Sequence, residues 1–330
     1  MLRYGKQLAK RSFEFGAARL GPQRLSRNPH LWVLMYHRIL PSDDARFAAE
    51  EPGMIVTPDT FRQQLRQLKQ LFTVLPLGEW VERAERGAPL PQRACAITFD
   101  DGWRDNFEFA LPILQQEQLP ATVFVVSHMI GTSQQFWPNR LSRVFAAAKG
   151  TAPVALQRLP ALQAGVPNDR EKLAAAIAQS KALSDDELLT MLDAAEAELG
   201  LPMPAQPDLM DWQQVRAMSA SGLIDIGSHT CRHRRLKEGV SPEVVARELI
   251  ESRERISAEL DRPVELFCFP NGDVSQQASA LVRSTYRAAV TTQRGINRAN
   301  ADRHSLYRIG IHEEISNTPT RFAARLSGWL

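Results

Sequence analysis

About seven short, largely apolar runs recur along this chain, and most are separated by segments with the apolar spacing of helices. The runs are LWVLMYH (31–37), RACAITFD (93–100), ATVFVVSH (121–128), LIDIGSH (223–229), VELFCFP (264–270), YRAAVTT (286–292) and LYRIGIH (306–312). Between them, Thr57 with Pro58 predicts a helix start, a helix is expected over roughly 103–118, Asp211 with Gln214 opens another that Gly222 can end, and Ser241 with Pro242 opens a long one to about 260. Strands alternating with helices predict a parallel α/β architecture, either an open sheet or a barrel.

The middle of the chain breaks the rhythm. Residues from about 139 to 210 are rich in Ala, Leu and Glu without a convincing strand, and Asn168 with Glu171 and Ser184 with Glu187 have capping-box spacing. We read this segment as a helical insertion, packed on the main domain or placed over its site as a lid.

A chain of 330 residues with 44% apolar content buries a large core, which excludes disordered, collagen-like and mini-protein classes. Its 40 basic and 37 acidic residues nearly balance, so no nucleic-acid partner is expected. Residues 1–30 form a basic arm or helix: Arg3, Lys6, Lys10, Arg11, Arg19, Arg24 and Arg27 stand against Glu14, interleaved with Leu2, Phe13, Phe15 and Leu20. A solvated first helix and peripheral contact with an anionic membrane both fit. No signal peptide is expected, and no apolar run approaches the ~18–20 residues of a membrane-spanning helix. Cys95, Cys231 and Cys268 form no CxxC pair and cannot all pair with one another, so a reducing, cytoplasmic setting is expected, and membrane association through the arm stays open beside it.

In parallel α/β folds, sites form at the carboxyl ends of the strands. His37, Asp100 with Asp101, His128, His229, Pro270 with Asn271, and His312 all fall there, and His233 follows His229 by four residues. Two histidines at that spacing can share one metal ion, and Asp101 would complete a set of two imidazoles and one carboxylate. Cys231, between them, could replace one. A bound cation would also explain the adjacent acids, one ligating it while the other stays ionised in its field. Gly102 lets the chain turn away behind them.

The stretches TFDDG (98–102), HTCRH (229–233) and FCFPNG (267–272), with weaker echoes in LMYHRI (34–39) and LYRIGIH, resemble the motifs of the polysaccharide deacetylases, the NodB-homology type of carbohydrate esterase family 4. The resemblance covers roughly 31–315 outside the insertion. It implies an α/β fold, a distorted (β/α)7-type barrel of the NodB-homology or glycoside hydrolase-deacetylase kind over 31–330, interrupted by the insertion. It also implies a metal-dependent N-deacetylase, usually with zinc. Carried over by position, Asp100 would be the general base, Asp101, His229 and His233 the ligands, the backbone N–H of Asn271 after Pro270 an oxyanion donor, and His312 the general acid.

Two departures matter. Many members have an arginine in the third motif that orients the base; Cys268 stands there, and Arg308 is expected to take over that contact unless it forms an ordinary inter-strand ion pair. The D-x-x-x-W motif is not recognisable in AAVTTQRGIN (288–297).

The chemistry is coherent by itself. A Lewis-acidic ion polarises a poorly electrophilic amide and lowers the pKa of water toward ~7, a carboxylate takes the proton, and backbone donors hold the oxyanion. The amine leaves only once protonated, a task for an imidazole. His37 fits either as a core residue or as support for such a site, and His128 fits a structural role. Trp103, Trp137 and Trp212 fit a sugar-stacking platform or ordinary packing. The expected function is hydrolysis of an N-acetyl group from an amino sugar of a bacterial glycan or glycan precursor, releasing acetate. The alternatives are an amidase of the same fold acting on a non-sugar amide, or a non-catalytic carbohydrate-binding module. Oligomeric state is not indicated.

Overall fold

The computed structural model describes residues 2–148, 151–157, 159 and 170–329. Seven parallel strands close into a barrel: β1 (His30–Tyr36), β2 (Arg93–Phe99), β3 (Ala121–Val125), β4 (Ile224–Ser228), β5 (Leu266–Cys268), β6 (Ala288–Arg294) and β7 (Leu306–Gly310). β1 runs in register with β2 from His30↔Arg93 to Tyr36↔Phe99 and meets β7 through Leu34↔Ile309, which decides for the barrel over the open sheet. Four strands differ from expectation: β3 ends at Val125, three residues before 128, β7 ends at Gly310, two before 312, β5 is only three residues long, and β6 lies two residues further along than 286–292.

Strand parity sorts the side chains, because alternate residues face opposite sides of a sheet. Leu31, Val33, Ala94, Ala96, Phe124, Leu266, Cys268, Ala288, Val290 and Leu306 form one buried cluster, closed at one end by Leu75, Leu77, Trp80 and Val81. Their neighbours Trp32, Leu34, Tyr36, Cys95, Ile97, Phe99, Phe267 and Ile309 pack outward into a larger cluster with the helices. Counting by twos from Ala94 and Ala96 through Thr98 brings Asp100 to the inner face. The apolar interior thus ends in a polar mouth.

Around the barrel run α1 (Leu2–Leu20), α2 (Pro58–Leu71), α3 (Trp137–Ala147), α4 (Arg170–Ser180), α5 (Asp185–Glu198), α6 (Trp212–Ala220), α7 (Pro242–Leu260) and α8 (Pro319–Leu326). The sequence signals for their starts act as caps. Thr57 Oγ1 accepts from the Thr60 amide, Ser241 Oγ from Val244, and Asp211 with Gln214 and Ser184 with Glu187 form reciprocal capping boxes. The Asn168–Glu171 box falls outside the described residues. The helix expected over 103–118 opens with a π-type turn, Asn106–Ala110, before Leu111–Glu117. That turn braces the end of β1: Asn106 Nδ2 donates to the His37 carbonyl and Asp105 accepts from the Ile39 amide.

The three helices α3 to α5 have their own core, in which Trp137, Leu141, Phe145, Ile177, Leu188 and Leu192 are buried. Asp185 and Asp186, at the start of α5, bolt this unit to the loop beyond β4. Arg235 Nε donates to Asp185 at 2.6 Å, and Arg234 pairs with both oxygens of Asp186 at 2.8 and 2.7 Å.

Candidate active site

Asp101, His229 and His233 converge at the carboxyl end of the barrel, each offering one ligand atom, with these atoms within 4.8 Å of one another. Asp101 Oδ1 lies 3.5 Å from His229 Nε2 and 3.4 Å from His233 Nε2. The other oxygen, Oδ2, accepts the Trp103 indole N–H at 2.8 Å, so the carboxylate cannot rotate away. His229 Nδ1 donates to the Cys268 carbonyl at 2.7 Å, which leaves the lone pair of Nε2 for the cluster. Burial pushes His233 down to about 4, keeping its imidazole neutral.

The backbone is strained to achieve this. Asp101 has φ 77, Thr230 φ 68, His233 φ 58 and Asn271 φ 53, conformations that cost an L-residue ~1–2 kcal/mol each. Gly102 follows at φ 80, and a Cβ there would press on Ile130 and Val125 at 3.1 Å. The turn expected of the glycine is therefore shared with Asp101 itself.

Asp100 does a different thing. Both of its oxygens accept from Arg308, Nη1 to Oδ1 and Nη2 to Oδ2, each at 2.7 Å, and both side chains are buried. Arg308 is fixed in turn by the Thr291 carbonyl, Thr98 Oγ1 and Cys268 Sγ. The strand register slips between Leu306 and Arg308 as β7 meets β6. Such irregularities re-aim side chains near sites. Burial alone would raise the pKa of Asp100, but the charge and hydrogen bonds of Arg308 outweigh it and hold the carboxyl below its ordinary range. Asp101 is likewise depressed: hydrogen bonding to His229 and the neighbouring His233 and His37 outweigh its desolvation.

These groups open into a cavity of about 280 Å³, also lined by Met35, His37, Glu50, Glu51, Trp103, Asn271 and Thr292, and from the helical segment by Trp137, Pro138, Asn139 and Lys181. That segment contributes a wall. Next to that wall, Arg38 lies with its guanidinium 4.1 Å over the Trp103 ring and pairs with Asp105 and with Glu50, which accepts from Asn139 Nδ2.

The remaining candidates scatter. His37 Nε2 is 3.9 Å from Asp100 Oδ2 and lines the cavity. His312 is absent from the lining: after Ile311 the chain turns into a short helix with His312 at its N-cap, and Nδ1 contacts Glu314 at 2.8 Å. The position expected for the acid is thus carried outside the cavity. Pro270 is buried behind Asn271, and Trp212 is not part of the lining. Cys231 turns away from the two histidines that flank it, its thiol toward the Arg247 carbonyl and its amide donating to Glu248, and it groups with His128 and Glu251. Sequence reasoning missed Trp103 as the brace of Asp101, although its place directly after Gly102 is a signal. It also missed Glu50, Glu51 and Lys181, which carry none.

Fold and site define a (β/α)7 barrel with two imidazoles, one carboxylate and a separately clamped second carboxylate at its mouth. The family model described as polysaccharide deacetylase matches residues 87–289, more than half of the chain, and the chain belongs to that family. It is similar to the poly-beta-1,6-N-acetyl-D-glucosamine N-deacetylase of Staphylococcus epidermidis, 30% identical over 119 residues, covering 34% of this chain and 41% of that protein. The Escherichia coli protein of the same name is 31% identical over 86 residues, 26% of this chain and 13% of that one. The chain thus matches less than half the length of these curated relatives. Two solved structures share the fold: the deacetylase PplD of Streptococcus pyogenes in complex with acetate (21% identity, TM-score 0.58, 88% of this chain and 96% of that one) and IcaB of Ammonifex degensii (18%, TM-score 0.59, 90% and 98%).

Proposed function

We propose that this protein hydrolyses the N-acetyl group of an amino sugar in a glycan or glycan precursor, releasing acetate. N-acetylglucosamine polymers are the first substrates to test, in keeping with the names of its relatives. The observation that carries the reading is the division of labour between the neighbouring acids: Asp101 meets both histidines in one ligand set, whereas Asp100, although within reach of His229 and Cys268, has both oxygens taken by Arg308. A binding module has no use for the second arrangement.

Asp101, His229 and His233 suit a divalent cation, and two imidazoles with one carboxylate and room for water suit zinc. Such an ion supplies Lewis acidity toward the amide carbonyl and toward water. Asp100 accepts the proton of the attacking water, its orientation fixed by the Arg308 fork. Asn271, which lines the cavity, supplies its backbone amide as the oxyanion donor. His37, which lines the cavity with its Nε2 3.9 Å from Asp100 Oδ2, replaces His312 as the group that protonates the leaving amine.

The test is Asp100→Asn. It retains one divalent ion per chain by elemental analysis and loses acetate release from N-acetylglucosamine oligomers by ~10²-fold or more. Full activity in that variant removes Asp100 as the base; loss of the ion there, but not in Asp101→Asn, exchanges the two roles.

A further inference from the structure

The first helix is attached to the body by its smallest side chains. Ala17 and Ala18 of α1 bury against Ala323 and Ala324 of α8, Gln23 Nε2 donates to the carbonyls of Ala17 and Ala323, and Gly21 lies against Ser327. Among the described side chains of the same stretch, the large apolar ones face water: Phe13 is 50% exposed, Phe15 51%, Leu20 62% and Leu25 60%. Trp329, two residues beyond Ser327, is 52% exposed. A helix docked only for stability does the reverse, since burying a phenylalanine contributes far more than burying an alanine.

The charges around these side chains have one sign. Arg11, Arg19, Arg24 and Arg27 are exposed, and the Arg19 guanidinium lies 4.3 Å over the Phe15 ring. Glu14, the single acid among residues 1–28, is buried and turned toward Arg321 at 4.0 Å. With Arg3, Lys6 and Lys10, the segment has seven basic residues against that one acid. Among the described residues no helix is long and apolar enough to cross a membrane.

We infer that this face docks on an anionic lipid bilayer, its aromatic and leucine side chains entering the acyl boundary while the arginines remain among the headgroups. The sign of the charge selects this occupant over a second copy of the chain, because two faces this basic repel each other. The inference is independent of the catalytic reading, since none of these residues lines the cavity.

Sedimentation of the whole chain with vesicles tests it. The chain co-sediments with an equimolar mixture of phosphatidylcholine and phosphatidylglycerol, stays in solution with phosphatidylcholine alone, and is released by high salt. Arg11→Gln with Arg19→Gln weakens binding to the anionic vesicles by about 30-fold. Phe13→Ser with Leu20→Ser also weakens it, while melting temperature and turnover of soluble oligomers stay as in the wild type. Equal binding to both vesicles, absence of binding, or wild-type binding by both variants overturns the inference. So does a dimer in sedimentation equilibrium that the same substitutions dissolve.

Discussion

Arg308 grips both carboxylate oxygens of Asp100 at 2.7 Å from a position 208 residues further along the chain, with neither side chain open to solvent. The pair keeps a buried acid ionised, and the pH dependence follows from that. Because the folded pKa of Asp100 is depressed, its contribution to stability is present above the unfolded value and lost as pH falls through the folded one. Arg308→Met raises that pKa, so the acid limb of kcat/KM moves to higher pH. It also destabilises by ~3–5 kcal/mol, because one charge of a buried pair is left alone. A limb that stays in place in the pH–rate profile means that Arg308 does not tune the base.

His37 and His312 make a second test. His37→Gln lowers kcat by ~10²-fold or more with bound metal unchanged, whereas His312→Gln stays near wild type. The reverse ranking returns the acid role to His312 and requires the end of β7 to rearrange around substrate.

Trp103 orients Asp101 through a hydrogen bond to the oxygen that faces away from the histidines. Trp103→Phe keeps most of the ring packing and loses that donor, so metal affinity falls ~10–100-fold in chelator competition. Unaltered affinity shows that packing alone holds the carboxylate.

Burial raises Glu51, on the cavity wall, to about 7 from its ordinary 4.5. The folded chain therefore keeps a proton that the unfolded chain releases, and stability declines as pH rises between those values. Glu51→Gln removes this decline and leaves the protein about 3 kcal/mol more stable than wild type at pH well above 7, measured by denaturant unfolding. Parallel curves for the two proteins across that range place Glu51 in water.

Much of the fold was legible because strand periodicity and capping are local. The runs ending in Asp100 and His229, and the boxes at Ser184 and Asp211, specify elements from residues within a few positions of one another. Other features were not legible for the opposite reason. β5 is shorter than its apolar run, since VELFCFP also reads as core packing around Phe267 and Phe269, which meet edge-on at 4.9 Å.

By itself the sequence determined the repeating strand–helix plan, the parity that turns Asp100 inward, and a ligand set within reach of one ion. Those depend on residue type and spacing along one strand or loop. Tertiary structure chose between the two readings of Arg308 in favour of the clamp on Asp100, and it alone decided that His37 and not His312 faces that acid, that Trp103 braces Asp101, and that Lys181 and Asn139 bring a helical wall to the cavity. These meetings join residues far apart in sequence, and only the closure of β7 onto β1 and the register of each strand fix which side chains share the mouth of the barrel.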